Sequence, residues 1–261
     1  MSRPVGHICA TLAELHPASA TVSDVNVGWA IAGAVGGILI GALLRGPVFR
    51  LSVASGEPDR TDCPRCTAAL PSWFSPRCAQ CRQWLGTPVL LELSVAAVLA
   101  LVLGRFGGQP VTAAFAFLGA LGVALAAIDI AVQRLPDKLT LPAYPALIVL
   151  LCLAALISPH GWRDLARALL AGLALAAAFL ILALVRPGQL GGGDIKLAGL
   201  AGLTLGWLGW PAVFLGAALG FVLCALISVG LLAARRITMS SAICFGPFLV
   251  GGAILALVAV G

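Results

Sequence analysis

The chain has 261 residues with a net charge of +6; 61% of them are hydrophobic and only 10% are charged. A soluble globular domain carries about 25% charged residues, so water-soluble packing is excluded and lipid must be the solvent. The basic balance does not mark a nucleic-acid binder, because the charges sort by loop rather than gathering in one patch.

Residues 1–26 hold His7, Glu14, His16 and Asp24 and lack a basic start followed by an apolar core. They are expected to be an extracytoplasmic segment and not a signal peptide. A first apolar span is expected over 27–44. Its Gly33, Gly37 and Gly41 form a doubled small-xxx-small pattern, which suits close helix approach but also simply fits an Ala/Gly-rich chain. Gly216 and Gly220 allow the same two readings. Residues 45–87 form the one sizeable polar loop, too short for a core of its own. Residues 88–261 carry further apolar runs near 88–104, 110–130, 139–158, 164–185, 197–210, 211–234 and 241–260, each judged against the roughly 20 residues that span a bilayer. The fold expected is all-α, a polytopic membrane protein with about eight transmembrane helices. The sixth run is short and Gly-rich, so the count is open by one.

The odd-numbered loops hold Arg45, Arg50, Arg60, Arg65, Arg77, Arg82, Arg134, Lys138, Arg186, Lys196, Arg235 and Arg236. The opposite side holds Arg3, Arg105, Arg163 and Arg167. Basic loops stay cytosolic, so both termini are expected outside and the odd loops in the cytosol.

Within the 45–87 loop, Cys63-Pro-Arg-Cys66 precedes Cys78-Ala-Gln-Cys81. Two such pairs across a short loop have the spacing of a closed tetrahedral thiolate zinc site. A cytosolic setting disfavours disulfides, although paired disulfides or a redox dithiol share the spacing. With four protein ligands and no open position, the site is read as structural. Of the other cysteines, Cys9, Cys152, Cys224 and Cys244, three lie in apolar runs and read as small core residues.

Ionisable groups in apolar surroundings are costly and tend to be functional. Asp129 ends the third span, Asp137 follows in Leu135-Pro136-Asp137, and Asp194 follows Gly191-Gly192-Gly193 just before the sixth. Glu92 sits one turn inside the second. Asp129 and Asp194 fall at the same membrane face. Two close carboxylates share a proton, so one can take a proton from water while the other polarises a peptide carbonyl. The glycine run lets substrate backbone come near. The plainer readings are that Asp194 or Asp137 caps a helix and that Glu92 pairs with a basic residue. The chain has no HExxH and no GxSxG, so zinc-protease and serine-elbow chemistry have no residues to use.

These stretches resemble the type IV prepilin peptidases. Residues 129–142, Asp-Ile-Ala-Val-Gln-Arg-Leu-Pro-Asp-Lys-Leu-Thr-Leu-Pro, look like that family's first catalytic motif, and Gly191-Gly-Gly-Asp194-Ile-Lys196-Leu is similar to its GxGD motif. Phe245-Gly-Pro-Phe-Leu-Val-Gly-Gly-Ala253 looks like the C-terminal signature, and Thr87-Pro-Val-Leu-Leu-Glu92-Leu like the segment after the cysteine loop. The resemblance implies a membrane aspartyl endopeptidase of the cytoplasmic membrane. Asp129 and Asp194 would be its catalytic pair, and Gly191, Gly192, Gly193, Lys196, Asp137 and Glu92 would lie on the substrate side. It would cut the leaders of prepilins or pseudopilins at the cytosolic face, with the bilayer and those substrates as partners and no nucleic acid.

Many family members also methylate the new amine with S-adenosylmethionine. Those members usually carry a glycine-serine-phenylalanine-leucine-asparagine run near the first helix; here the matching segment reads Gly41-Ala-Leu-Leu-Arg-Gly-Pro47, and the stretch between the cysteine pairs is short. Methyl transfer is therefore expected to be weak or absent, and S-adenosylmethionine is a cofactor only if it is retained. A rival reading is a transporter or channel with acidic gating residues. Another is a membrane anchor with the cysteine loop as a docking module.

Overall fold

In the computed structural model, residues 26–54, 56–70, 72–86, 89–185, 191–236 and 244–261 are described. The expected N-terminal segment, Thr87-Pro88 and Arg186 lie outside the described residues. Eight helices are described: α1 (Val27–Leu51), α2 (Leu90–Phe106), α3 (Thr112–Val132), α4 (Asp137–Ile157), α5 (Gly161–Val185), α6 (Gly192–Leu208), α7 (Trp210–Ala233) and α8 (Gly246–Val260). There is no strand ladder among the described residues, only two isolated bridges. Five helices, α1, α3, α4, α5 and α7, are long and apolar enough to cross a bilayer. At 17, 17 and 15 residues, α2, α6 and α8 are shorter. The chain is an all-α membrane protein.

Several boundaries differ from the expected ones for physical reasons. The Asn26 side chain accepts the Trp29 N–H and starts α1, as an N-cap does. The helix then runs past residue 44 to Leu51 through Pro47. Its last two turns are not lipid-facing: Arg45, Gly46, Pro47, Phe49 and Arg50 are buried, roofed by the cysteine loop. α6 starts at Gly192 rather than near 197. It can be short and Gly-rich because protein rather than lipid surrounds it; every residue from Leu197 to Trp207 is buried. A side chain at Gly202 would reach the Ala171 carbonyl of α5 at 2.6 Å. At its far end, Arg167 of α5 donates to the carbonyls of Gly206 (2.7 Å) and Trp207, groups a helix terminus otherwise leaves unpaired. Gly209, at φ +138°, then turns the chain into α7.

The helices pack as three close pairs, α1 with α2, α5 with α6 and α7 with α8, tied together through α3 and α6. The glycine pattern of α1 is one of close approach, for Gly33, Gly37 and Gly41 lie against the backbones of Leu99, Ala96 and Glu92 in α2. Gly220 does the same against Leu249 of α8, 3.3 Å from where its Cβ would be. The main core joins Phe115, Leu125 and Leu147 to Leu197, Leu200 and Leu249. The end of α3 meets the start of α8 through Asp129 and Gly246, and the turn after α3 meets the start of α6 through Leu135 and Gly193.

Candidate active site and cysteine knuckles

Asp129 lies one turn before the end of α3 and is only 5% exposed. At the next step Gln133 takes a left-handed conformation (φ 52°) and its N–H closes on the Asp129 carbonyl at 2.7 Å. The Asp129 carboxylate accepts the Gly246 N–H at 3.1 Å, the first amide of α8. Asp194 is the third residue of α6 and 8% exposed. Its Oδ2 accepts the Gly191 N–H at 3.3 Å, so it caps its own helix. The two carboxylates are close enough for the charge of Asp129 to act on Asp194. Both also act on the Cys244 thiol, in the segment entering α8.

The glycine run divides its work. A side chain at Gly193 would collide with Leu135, its Cβ 2.6 Å away, so this glycine lets the α3–α4 turn close onto the start of α6. Around Gly192 there is open space, and it is at Gly192 that another backbone can come close. The same two segments are tied by an ion pair between Lys196 and Asp137. The Tyr144 hydroxyl donates to the Lys196 carbonyl at 2.7 Å, joining α4 to α6. Asp137 is the first residue of α4 and makes no cap bond. Glu92 lies elsewhere: on α2, it forms a two-pronged buried pair with Arg45 of α1, with Nη2 to Oε2 at 2.8 Å.

In the sequence, Gly246 is one residue of the Phe245-Gly246-Pro247 stretch with no role of its own visible. A Gly-Pro at a helix start leaves a free N–H, which was the available signal; only the fold shows that it meets a carboxylate 117 positions away. Cys244 is one of the scattered cysteines of the sequence, and nothing in its spacing announces the aspartates.

The four loop cysteines are brought together as their spacing predicts. Their sulfurs all lie within 4.8 Å of one another, with Cys63–Cys81 and Cys66–Cys78 at 3.6 Å. Ligands at 2.3 Å in a tetrahedron stand about 3.8 Å apart, so the donor set fits a dication such as zinc. The pairs are two copies of one knuckle. Cys63 N–H bonds Ala68 O at 2.9 Å and Thr67 N–H bonds Cys63 O at 3.0 Å; fifteen residues on, Cys78 N–H bonds Gln83 O at 2.9 Å and Arg82 N–H bonds Cys78 O at 3.0 Å. Thr67 and Arg82 both turn left-handed, at φ 56° and 55°. The N–H groups of Arg65 and Cys66 aim at the Cys63 sulfur and hold its thiol down at about 6. Those of Cys81 and Gln80 lower Cys78 in the same way. Cys66 goes the other way: the Ala68 N–H lowers it, but burial and the sulfurs of Cys78, Cys81 and Cys63 outweigh that and push its thiol up to about 11, a crowding that a dication among the four sulfurs would relieve.

Residues 116–229, which include both aspartates, match the family model described as the type IV leader peptidase family. A prepilin leader peptidase/N-methyltransferase of Burkholderia pseudomallei (strain 1026b) is 34% identical over 213 residues, covering 74% of this chain and 65% of the relative. One from Pseudomonas putida is 32% identical, covering 66% of this chain and 59% of the relative. One from Escherichia coli K12 is 35% identical, covering 64% of this chain and 72% of the relative. The chain thus spans just under two thirds of the Burkholderia relative's length. No solved structure matches it. The aspartates at the ends of α3 and α6, the order of the motifs around them and these relatives agree, and the chain belongs to the type IV leader peptidase family.

Proposed function

We infer that the chain is a membrane aspartyl endopeptidase that removes the leader from prepilins or pseudopilins, with Asp129 and Asp194 as its catalytic pair. The observation that carries this is two buried carboxylates, 65 positions apart in sequence, brought to one region of the bundle: Leu135, from the turn that follows Asp129, packs on Gly193 beside Asp194. In this reading one carboxylate is ionised and takes a proton from the attacking water. The other is protonated and polarises the scissile carbonyl, and the proton passes to the departing amine as the bond breaks. Gly192 gives the substrate backbone room, and Lys196 and Asp137 line the approach. The relatives' printed name supplies the substrate class. The transporter reading is not favoured by a family of peptidases.

In the same reading the loop cysteines hold a structural zinc, and the excess of basic residues in the odd loops supports a site at the cytosolic face of the cytoplasmic membrane. Methyl transfer, part of the relatives' name, is expected to be weak or absent here because the first-helix segment departs from the methylating pattern. The decisive test is cleavage of a prepilin in membranes by Asp129→Asn and Asp194→Asn at matched protein levels. Both variants should insert and leave the prepilin uncut; substantial cleavage by either would refute the two-aspartate assignment.

A further inference from the structure

We propose that the cysteine loop is an interfacial element, with Trp73 and Phe74 seated in the phospholipid headgroup layer, rather than a domain standing free in water. The argument rests on height. α1 and α2 run antiparallel in a fixed register, Gly37 lying against Ala96 and Gly41 against Glu92. By that register Leu90 is level with residue 43, and Gly46 lies about 4.5 Å further along at 1.5 Å per residue. Around the start of α2, Val89, Leu90 and Leu93 are 56%, 67% and 55% exposed. Leu43 of α1, at the same level, is 53% exposed and continues the exposed apolar row of Val35 and Leu39 along that membrane-spanning helix, so the apolar layer reaches this level.

The backbone of Trp73, Phe74 and Ser75 packs directly on Gly46, where any side chain would collide with it. The edge is therefore held within one helical turn of the lipid-facing residues. It is also fixed in place. Arg50, buried in the last turn of α1, donates through Nη2 to the carbonyls of Leu70 and Ser72 at 3.0 Å each, and its guanidinium lies 5.5 Å from the Trp73 ring. Arg60 reaches back over Phe49 of α1 at 5.1 Å. Yet Trp73 and Phe74 remain 38% and 55% exposed. Aromatic rings held at this height match the aromatic belt that membrane proteins place among headgroups. The surface continues the lipid-facing surface of α1 and α2, which argues for phospholipid as its occupant rather than a second protein.

The test uses the full chain in phospholipid nanodiscs, with a benzophenone amino acid replacing Phe74 in one variant and Trp73 in another. Leu93, in the lipid-facing row of α2, is the positive control. Irradiation and mass spectrometry should find lipid adducts as the main cross-linked product at position 74, position 73 or both. With the Leu93 control giving its lipid adduct, absence of lipid adducts at both loop positions would overturn the proposal. Cross-links at these positions mainly to a second copy of the chain would overturn it equally. The readout does not depend on peptidase activity, so it stands or falls apart from the assignment of the aspartates.

Discussion

The aspartate site and the cysteine loop are built on opposite plans. The loop draws its four ligands from 19 consecutive positions, and each knuckle closes through hydrogen bonds no more than five residues long. The aspartate site draws on α3, α6 and α8, and the bond that fixes Asp129 spans 117 positions. A local site of this kind depends on its backbone turns and, with the proposed zinc bound, on the metal. A distributed one depends on how closely whole helices approach, which is why small residues such as Gly193 and Gly246 sit at its contacts. The two should therefore respond to damage in different currencies: the loop in metal content and folding, the aspartates in chemistry with the fold intact.

The largest effect is expected at the aspartates themselves. Asp129→Asn or Asp194→Asn keeps size and polarity but removes a titrating carboxyl, and should lower cleavage by at least about 10²- to 10⁴-fold. Protein level and thermal stability should be preserved, because only one backbone hydrogen bond to each carboxylate is altered. Next comes the loop. Wild-type protein purified under reduction should hold about one zinc, and Cys63→Ser with Cys66→Ser should hold none. That double variant should lose expression or stability more than turnover per folded molecule. Metal analysis finding no zinc in the reduced wild type would remove the assignment. A variant with normal stability but no turnover would merge the two plans into one.

How legible each region was follows from the same contrast. The two Cys-x-x-Cys pairs announced the ligand set because the ligands are close in sequence, and helix order followed from hydropathy, since lipid imposes length. Asp129 and Asp194 stand out as rare charges in apolar surroundings at one expected membrane face, while their assignment as a catalytic pair leans on motif order and resemblance. Hydropathy could not show that α1 continues to Leu51, because its last turns are covered by the loop instead of lipid. Nor could it show that α6 begins at Gly192, where polar and glycine residues hide the helix start. Gly246 and Tyr144 were invisible as site residues, since each works through a partner far away in sequence.

Gly246 provides a sharper and smaller test of the distributed plan. At the first position of α8 it has no unusual φ that only glycine tolerates, so alanine suits the backbone and the helix. Its Cβ, however, would stand 2.7 Å from Asp129 Oδ2. If the site depends on the placement of that carboxylate, Gly246→Ala should cut kcat by about 10- to 100-fold with little change in KM or melting temperature. Gly230→Ala, in open space on α7, serves as the neutral control. Equal kcat for Gly246→Ala and wild type would show that the contact is packing alone.

The smallest effect is expected at the Lys196–Asp137 pair. It links the two segments that carry the aspartates, yet both side chains are partly open, 35% and 58% exposed. Exposed ion pairs contribute about 1 kcal/mol or less, and Leu135 against Gly193 and Tyr144 against the Lys196 carbonyl already hold the same two segments together. Lys196→Gln and Asp137→Asn should therefore each cost less than about tenfold in cleavage, consistent with a free energy of that size. The charge-reversed pair, Lys196→Asp with Asp137→Lys, separates bridging from substrate contact. If the residues act on each other, the double reversal should recover most of what either reversal loses alone. If instead each touches the substrate, the two losses should add, because each reversed charge would meet its substrate contact independently of the other. Additive losses in that cycle would move Lys196 and Asp137 from holding the site together to reading the leader, and would leave the aspartate assignment untouched.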